Sequence, residues 1–154
     1  MLEILYLCYN YFMNHAFKQK VYYSDTDAYG VVWHGSYLRW LEMGRVMMIE
    51  EAGSKISDLE KMDIVLPVTE INIKYKNSAK LDDELIIKTE VQEYNKLSVT
   101  FKQTITDDKE EKKYIEATVK VVAINKIGKL YRSLPEPVLD IIKRYCSEKC
   151  AVLV

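Results

Sequence analysis

The sequence predicts an α+β domain in which one long helix is enclosed by a strongly curved antiparallel β-sheet. Two periodicities and one absence lead there. Tyr37, Trp40, Leu41, Gly44, Met48 and Ala52 recur at three- and four-residue spacing, so they share one face of a helix. From Ile71 to Ala123 apolar residues recur instead at every second position, over four segments in succession. No helical segment alternates with these strands and no unit of about 20 to 50 residues repeats, which excludes a βαβ sheet and a solenoid.

Taken in order, the chain begins with MLEILYLCYNYF, which is apolar but has no basic leader or small-residue cleavage site. It is too short to span a bilayer, so stable membrane insertion is not expected. Met13 follows directly. Residues 1–12 are therefore set apart as an N-terminal extension, 13–147 as the domain and 148–154 as a C-terminal tail. The patch KQKVY, residues 18–22, reads as a first strand. Along the helix, Leu38, Val46, Met47 and Ile49 make much of the remaining circumference apolar, as in a helix surrounded by other elements. Gly53 supplies its stop.

Ile71, Ile73 and Tyr75 then alternate with Glu70, Asn72, Lys74 and Lys76, giving a strand with one wet face. The same parity carries Leu85, Ile87 and Val91, then Leu97, Val99, Phe101 and Ile105, then Ile115, Ala117, Val119, Val121 and Ala123. NSAKLDD, EYNK and DDKEEKK are short polar connectors of the kind that join antiparallel neighbours, and the last is a solvated hairpin tip. Pro135 opens a short final helix, PEPVLDIIKRYC. A flat sheet cannot cover one long helix, so the sheet must twist and wrap.

The chain has 154 residues, the size of one domain with one core. Its 22 basic and 23 acidic residues leave a formal charge of -1, which argues against a surface built to attract nucleic acid or anionic lipid. Cys8, Cys146 and Cys150 are odd in number, and the final C-x3-C lacks further zinc ligands, so they read as free thiols in a reducing cytoplasm.

The chemistry is concentrated in VYYSDTDAYGVVWHGSYLRWLEMGR, residues 21–45. The ordinary reading of Asp and Gly between a strand and a helix is turn formation, with Asp side chains bonded to nearby N–H groups and Gly30 at positive φ. A calcium loop fails, because Tyr29 and Ser36 stand where an oxygen ligand and the bidentate glutamate are needed. There is no glycine-rich phosphate loop, G-x-S-x-G elbow or H-E-x-x-H pair. What remains is an acid, Asp27, seven residues before His34 at a helix start. Unpaired amides there can stabilise an oxyanion, while the carboxylate attacks a carbonyl or deprotonates a water beside it.

That stretch resembles the signature of the 4-hydroxybenzoyl-CoA thioesterase family, and within it the YbgC-like branch, whose pattern runs Y-x-D-T-D-x-x-G-V-V-x-H-x-x-Y. The likeness continues through EATVKVVAIN and RSLP, roughly residues 17 to 143. It implies the hotdog fold, a long helix wrapped by a curved antiparallel sheet. It implies hydrolysis of an acyl-CoA thioester to free acid and coenzyme A, without metal or organic cofactor, by a cytoplasmic homodimer or homotetramer. By the same resemblance Asp27 is the catalytic carboxylate, as nucleophile or general base. The backbone N–H of His34 polarises the thioester carbonyl, and the His34 side chain and the Tyr23 hydroxyl lie in the site. Gly30 lets the loop approach the substrate, Lys96 meets a coenzyme A phosphate, and Asp25 holds the loop. Tyr37, Trp40, Met43, Met47 and Met48 read as core or subunit contact rather than an acyl cage. Tyr29, Trp33 and Gly35 fall at variable positions and leave the acyl group open. The competing reading on the same scaffold is a non-catalytic acyl-CoA or acyl-carrier binding module, or a dehydratase-like protein.

Overall fold

Five strands alternate with turns to make one antiparallel sheet, and a single 18-residue helix lies against its inner face. The computed structural model describes residues 14–146 and the backbone of 151–153. In chain order the strands are β1 (His15–Lys20), β2 (Val68–Tyr75), β3 (Glu84–Asn95), β4 (Ser98–Asp107) and β5 (Lys113–Val122), hydrogen-bonded in the order β1-β3-β4-β5-β2. Helix α1 (His34–Glu51) separates β1 from β2, followed by the short α2 (Ile56–Lys61), and α3 (Glu136–Tyr145) follows the sheet. Within the expected tail, β6 (Ala151–Leu153) runs parallel to the end of β3 at Glu93–Asn95. The N-terminal extension lies outside the described residues.

The sheet curves where its ladders slip. Register shifts fall between Val91 and Glu93, between Ile105 and Thr106, and between Val68 and Glu70. Each such irregularity bends its strand and increases local twist, which is how the sheet wraps a helix that a flat one would leave bare.

Inward residues divide into two apolar groups. Tyr37, Trp40 and Leu41 pack with Leu85, Ile87, Ile105 and Ile115 under the first half of α1. Met48 and Ile49 pack with Val91, Val99, Val119 and Ile142 under the second half. Between them runs a polar layer, and its position is dictated by Gly44. The fully buried Gln103 amide donates to the Leu41 carbonyl at 2.8 Å and to Thr89 Oγ1 at 2.7 Å, while Arg45 donates to Gln103 Oε1 at 2.8 Å. A Cβ on Gly44 would stand 2.6 Å from Thr89 Oγ1. The glycine is there so that helix and sheet can approach. At its far end α1 is tied to β1 by the pair of Glu51 with His15 Nδ1.

Several sequence expectations shift. The first strand is earlier than residues 18–22, because Val21 leaves the ladder to bond the connector before β3, donating to Asp83 and accepting from Asp82. Leu97 is 40% exposed rather than inward, since the Asn95 side chain captures the N–H groups of Leu97 and Ser98 and turns the chain there. Pro135 caps α3 from outside, and Pro137 occupies its first turn. Helix α2 had no periodic signal, being six residues long with only Leu59 buried. Strand β2 is an edge whose apolar face the described residues cover only in part: Ile73 packs against the core and Tyr75 meets Tyr37, yet Ile71 and Tyr75 are 43% and 47% exposed. Cys146 is disulfide-bonded, which corrects the reading of it as a free thiol; Cys8 and Cys150 lie outside the described residues.

Two outcomes follow from the packing. Gly44→Ala gains about 1 kcal/mol of helix propensity but overpacks the polar layer, and net destabilisation of about 1 to 3 kcal/mol is expected in a urea melt. Tyr114 and Tyr145, both buried, have phenols pushed up to about 12, chiefly by loss of hydration and then by Asp83 and Glu51 respectively. An unfolded tyrosine loses its proton near about pH 10, so the folded state holds protons there that the unfolded chain does not. Stability is therefore full below about pH 10 and declines as pH rises towards about 12, which urea midpoints measured across that window check.

Candidate active site

The site loop connects β1 to α1 and is pinned at its centre by Asp25. This carboxylate is 2% exposed. One oxygen accepts from the Tyr22 N–H at 2.9 Å and the other pairs with the Arg39 guanidinium. The Asp25 carbonyl accepts from the Trp33 N–H at 2.8 Å and from the Ser36 hydroxyl at 3.1 Å. One residue thus ties the loop's entry to the first turn of α1, the holding role expected of it.

Between these anchors residues 26–32 form a tight hairpin, with a bridge between Thr26 and Val32. Asp27 N–H donates to the Val31 carbonyl and Gly30 N–H to the Asp27 carbonyl, both at 3.0 Å. Gly30 has φ +73°, a conformation that costs a residue with a Cβ and leaves glycine free. Asp27 sits at the base of this turn, partly buried. Its Oδ1 accepts from the Tyr29 N–H at 2.9 Å, the turn bond that the bland reading requires. Its Oδ2 has no partner among the described residues.

Helix α1 starts at His34 with no side-chain cap. Ser36 N–H bonds the Trp33 carbonyl at 2.9 Å, whereas the N–H groups of His34 and Gly35 meet no acceptor among the described residues. They are the open donors that every helix start leaves. Asp27 lies one residue inside the Thr26–Val32 bridge, and His34 two residues outside it on the opposite arm, with the Trp33 N–H bonded to the Asp25 carbonyl between them.

The remaining expected residues divide. The Tyr23 ring is 82% exposed at the loop's start. The His34 imidazole is exposed and packs on the Trp33 indole, ring centroids 5.0 Å apart. Gly30 forms the turn tip. Lys96 does not join them. It follows Asn95 at the far end of β3, whereas the loop lies beyond Lys20, which pairs with Glu84 at the near end; the span is roughly 35 Å of strand. Arg39 and Ser36 were missed by sequence reasoning, because their bonds to Asp25 span 14 and 11 residues and follow no motif.

A half-open apolar cavity of about 90 Å³ lies under the second half of α1, lined by Val46, Ile49, Phe101 and Val138 among others, away from Asp27. Among the described residues no group of three or more His, Cys, Asp or Glu side chains could hold a metal ion, and no helix is long and apolar enough to cross a membrane.

The chain is similar in sequence and fold to known proteins. The putative acyl-CoA thioesterase YneP of Bacillus subtilis is 38% identical over 76 residues, 49% of this chain and 55% of that one, so the chain spans about half of that relative's length. The acyl-CoA thioester hydrolase YbgC of Escherichia coli O6:H1 is 33% identical over 125 residues, 81% of this chain and 92% of the relative. The crystal structure of a DHNA-CoA thioesterase from Staphylococcus aureus superposes with a TM-score of 0.77 at 28% identity, covering 86% of this chain and 89% of that one. The model of the thioesterase superfamily matches residues 29–114, from the site loop through the helix into β5, and the chain belongs to that family.

Proposed function

We propose that the protein hydrolyses an acyl-CoA thioester to the free acid and coenzyme A. The observation that carries the reading is Asp27: a carboxylate with one oxygen fixed by the Tyr29 N–H and the other without a partner among the described residues, on a loop that Asp25 locks to the first turn of α1, whose leading amides likewise meet no acceptor among those residues. The thioester oxygen accepts from the N–H groups of His34 and Gly35. Asp27 Oδ2 then attacks the carbonyl carbon, or takes a proton from the water that attacks it. The C–S bond breaks and the thiolate leaves and takes up a proton; where Asp27 has attacked, water then cleaves the resulting anhydride and restores the carboxylate, and by either route water supplies the second oxygen of the acid. Amides already aligned on the developing oxyanion are worth about 10²- to 10³-fold in rate each. The Tyr23 hydroxyl and the His34 imidazole are free to face the substrate, and Lys96 of a second copy is available to a coenzyme A phosphate.

A second copy is part of the reading. Strand β2 is an edge with an exposed apolar face, a surface that soluble proteins cover. Pairing through it makes a homodimer, with the homotetramer as the larger form. Because coenzyme A thioesters carry phosphate charges and do not cross a bilayer, the reading places the enzyme in the cytoplasm.

Thiol release measured over short-chain, long-chain and aromatic acyl-CoAs tests the activity. Asp27→Asn should retain the fold and lose about 10²-fold or more of the turnover; undiminished turnover would remove the assignment. Tight acyl-CoA binding with no thiol release, insensitive to that substitution, would indicate a binding module instead. For the assembly, light scattering should give a multiple of the 18.0 kDa chain mass, and Ile71→Asp should reduce it to that mass.

A further inference from the structure

Trp33 stands immediately before α1 and its backbone is immobilised by the bond from its N–H to the Asp25 carbonyl. Its side chain folds back over the first helical turn. A Cβ on Gly35 would lie 2.1, 2.3 and 2.6 Å from Cζ3, Cη2 and Cε3 of the indole, so the six-membered ring rests on the glycine's bare Cα. The His34 imidazole abuts it, the two rings tilted by 52°. Even so held, Trp33 is 49% exposed. The half-exposed indole is thus in contact with both residues whose amides have no acceptor among the described residues.

Resting on the thioesterase reading, we propose that Trp33 is a specificity-determining residue, an aromatic wall seated on Gly35 that favours a planar aromatic acyl group over a straight alkyl chain of similar carbon number. Two physical arguments select that class. Aromatic rings gain from stacking on an indole beyond the area they bury. A rigid planar acyl group also surrenders few rotors against a fixed wall, whereas an alkyl chain loses freedom at every bond it lays down. Tyr22, Tyr23 and Tyr29 extend the aromatic character of the loop, all more than half exposed. Gly35 is weakly suited to a helix on propensity alone, and its service here is steric: any larger residue displaces the ring.

The test compares kcat/KM for benzoyl-CoA and hexanoyl-CoA in the full chain, Trp33→Leu, Gly35→Ala and the double variant, each checked for fold by circular dichroism. The wild-type ratio should favour benzoyl-CoA. Trp33→Leu should lower it by about two- to tenfold, the size of a stacking contribution. Gly35→Ala should lower it similarly by dislodging the indole, and should change it no further once Trp33 is gone. A wild-type ratio favouring hexanoyl-CoA, or a ratio unchanged in the single variants, overturns the proposal. Should Trp33→Leu fail to fold, Gly35→Ala still decides it, because its ratio depends on where the indole sits. Absence of thiol release from every acyl-CoA sinks the hydrolase reading itself, whereas thiol release with an unmoved ratio leaves that reading intact and removes only the role of Trp33.

Discussion

Gln103 reaches out of the sheet and bonds a helix carbonyl, in a polar layer that packs directly against the bare Cα of Gly44, where a Cβ would stand 2.6 Å from Thr89 Oγ1. Elsewhere α1 meets β3, β4 and β5 through apolar contacts, which tolerate small slides and rotations. The Gln103, Thr89 and Arg45 layer does not tolerate them. Gln103 and Thr89 are fully buried and Arg45 partly so, and leaving a buried polar atom unpaired costs about 1 to 3 kcal/mol. The helix therefore docks in one rotation and at one height. Because an α-helix is stiff, fixing Gly44 also fixes the first turn at His34, about 15 Å away.

The Asp25 clamp carries that precision into the loop. Its carboxylate and carbonyl together hold Tyr22, Trp33, Ser36 and Arg39, so the hairpin bearing Asp27 moves with the start of α1 rather than independently of it. Reaction between held groups avoids the orientational entropy that free ones lose. A mid-helix glycine and a buried aspartate thus act in series, neither of them touching the reacting atoms.

How much of this was legible in the sequence depended on whether a residue's partner was local. Period-two alternation located β2 to β5, and the 3.6-residue spacing located α1, because the face a residue presents follows from its neighbours in sequence. Gly30 was legible for the same reason: its positive φ belongs to a four-residue turn. Leu97 misled because a side chain at Asn95 took over the backbone and broke the parity. The pairing of Arg39 with Asp25 and the long separation of Lys96 from Asp27 were not legible, since both are set by how the chain folds back on itself. The meaning of Gly44 was hidden too; its place on the inner face was readable, but its contact with Thr89 and Gln103 joins residues 45 and 59 positions apart.

The turn bond of Asp27 and its proposed chemistry are not rivals. A carboxylate has two oxygens, and the bond from Tyr29 occupies one of them while setting the direction of the other. A freely rotating Asp27 would have to be ordered on every encounter with substrate, whereas the turn orders it during folding, when the hairpin between Thr26 and Val32 closes. The same economy is consistent with placing the proposed chemistry at the surface rather than in the apolar cavity under the second half of α1. Amides at a helix start are open only where the chain enters the helix, and that entry is at the rim of the sheet. Water must then be excluded by something laid over the rim, because exposed oxyanion donors are weakened by solvent. In the proposed reaction the substrate itself contributes that cover.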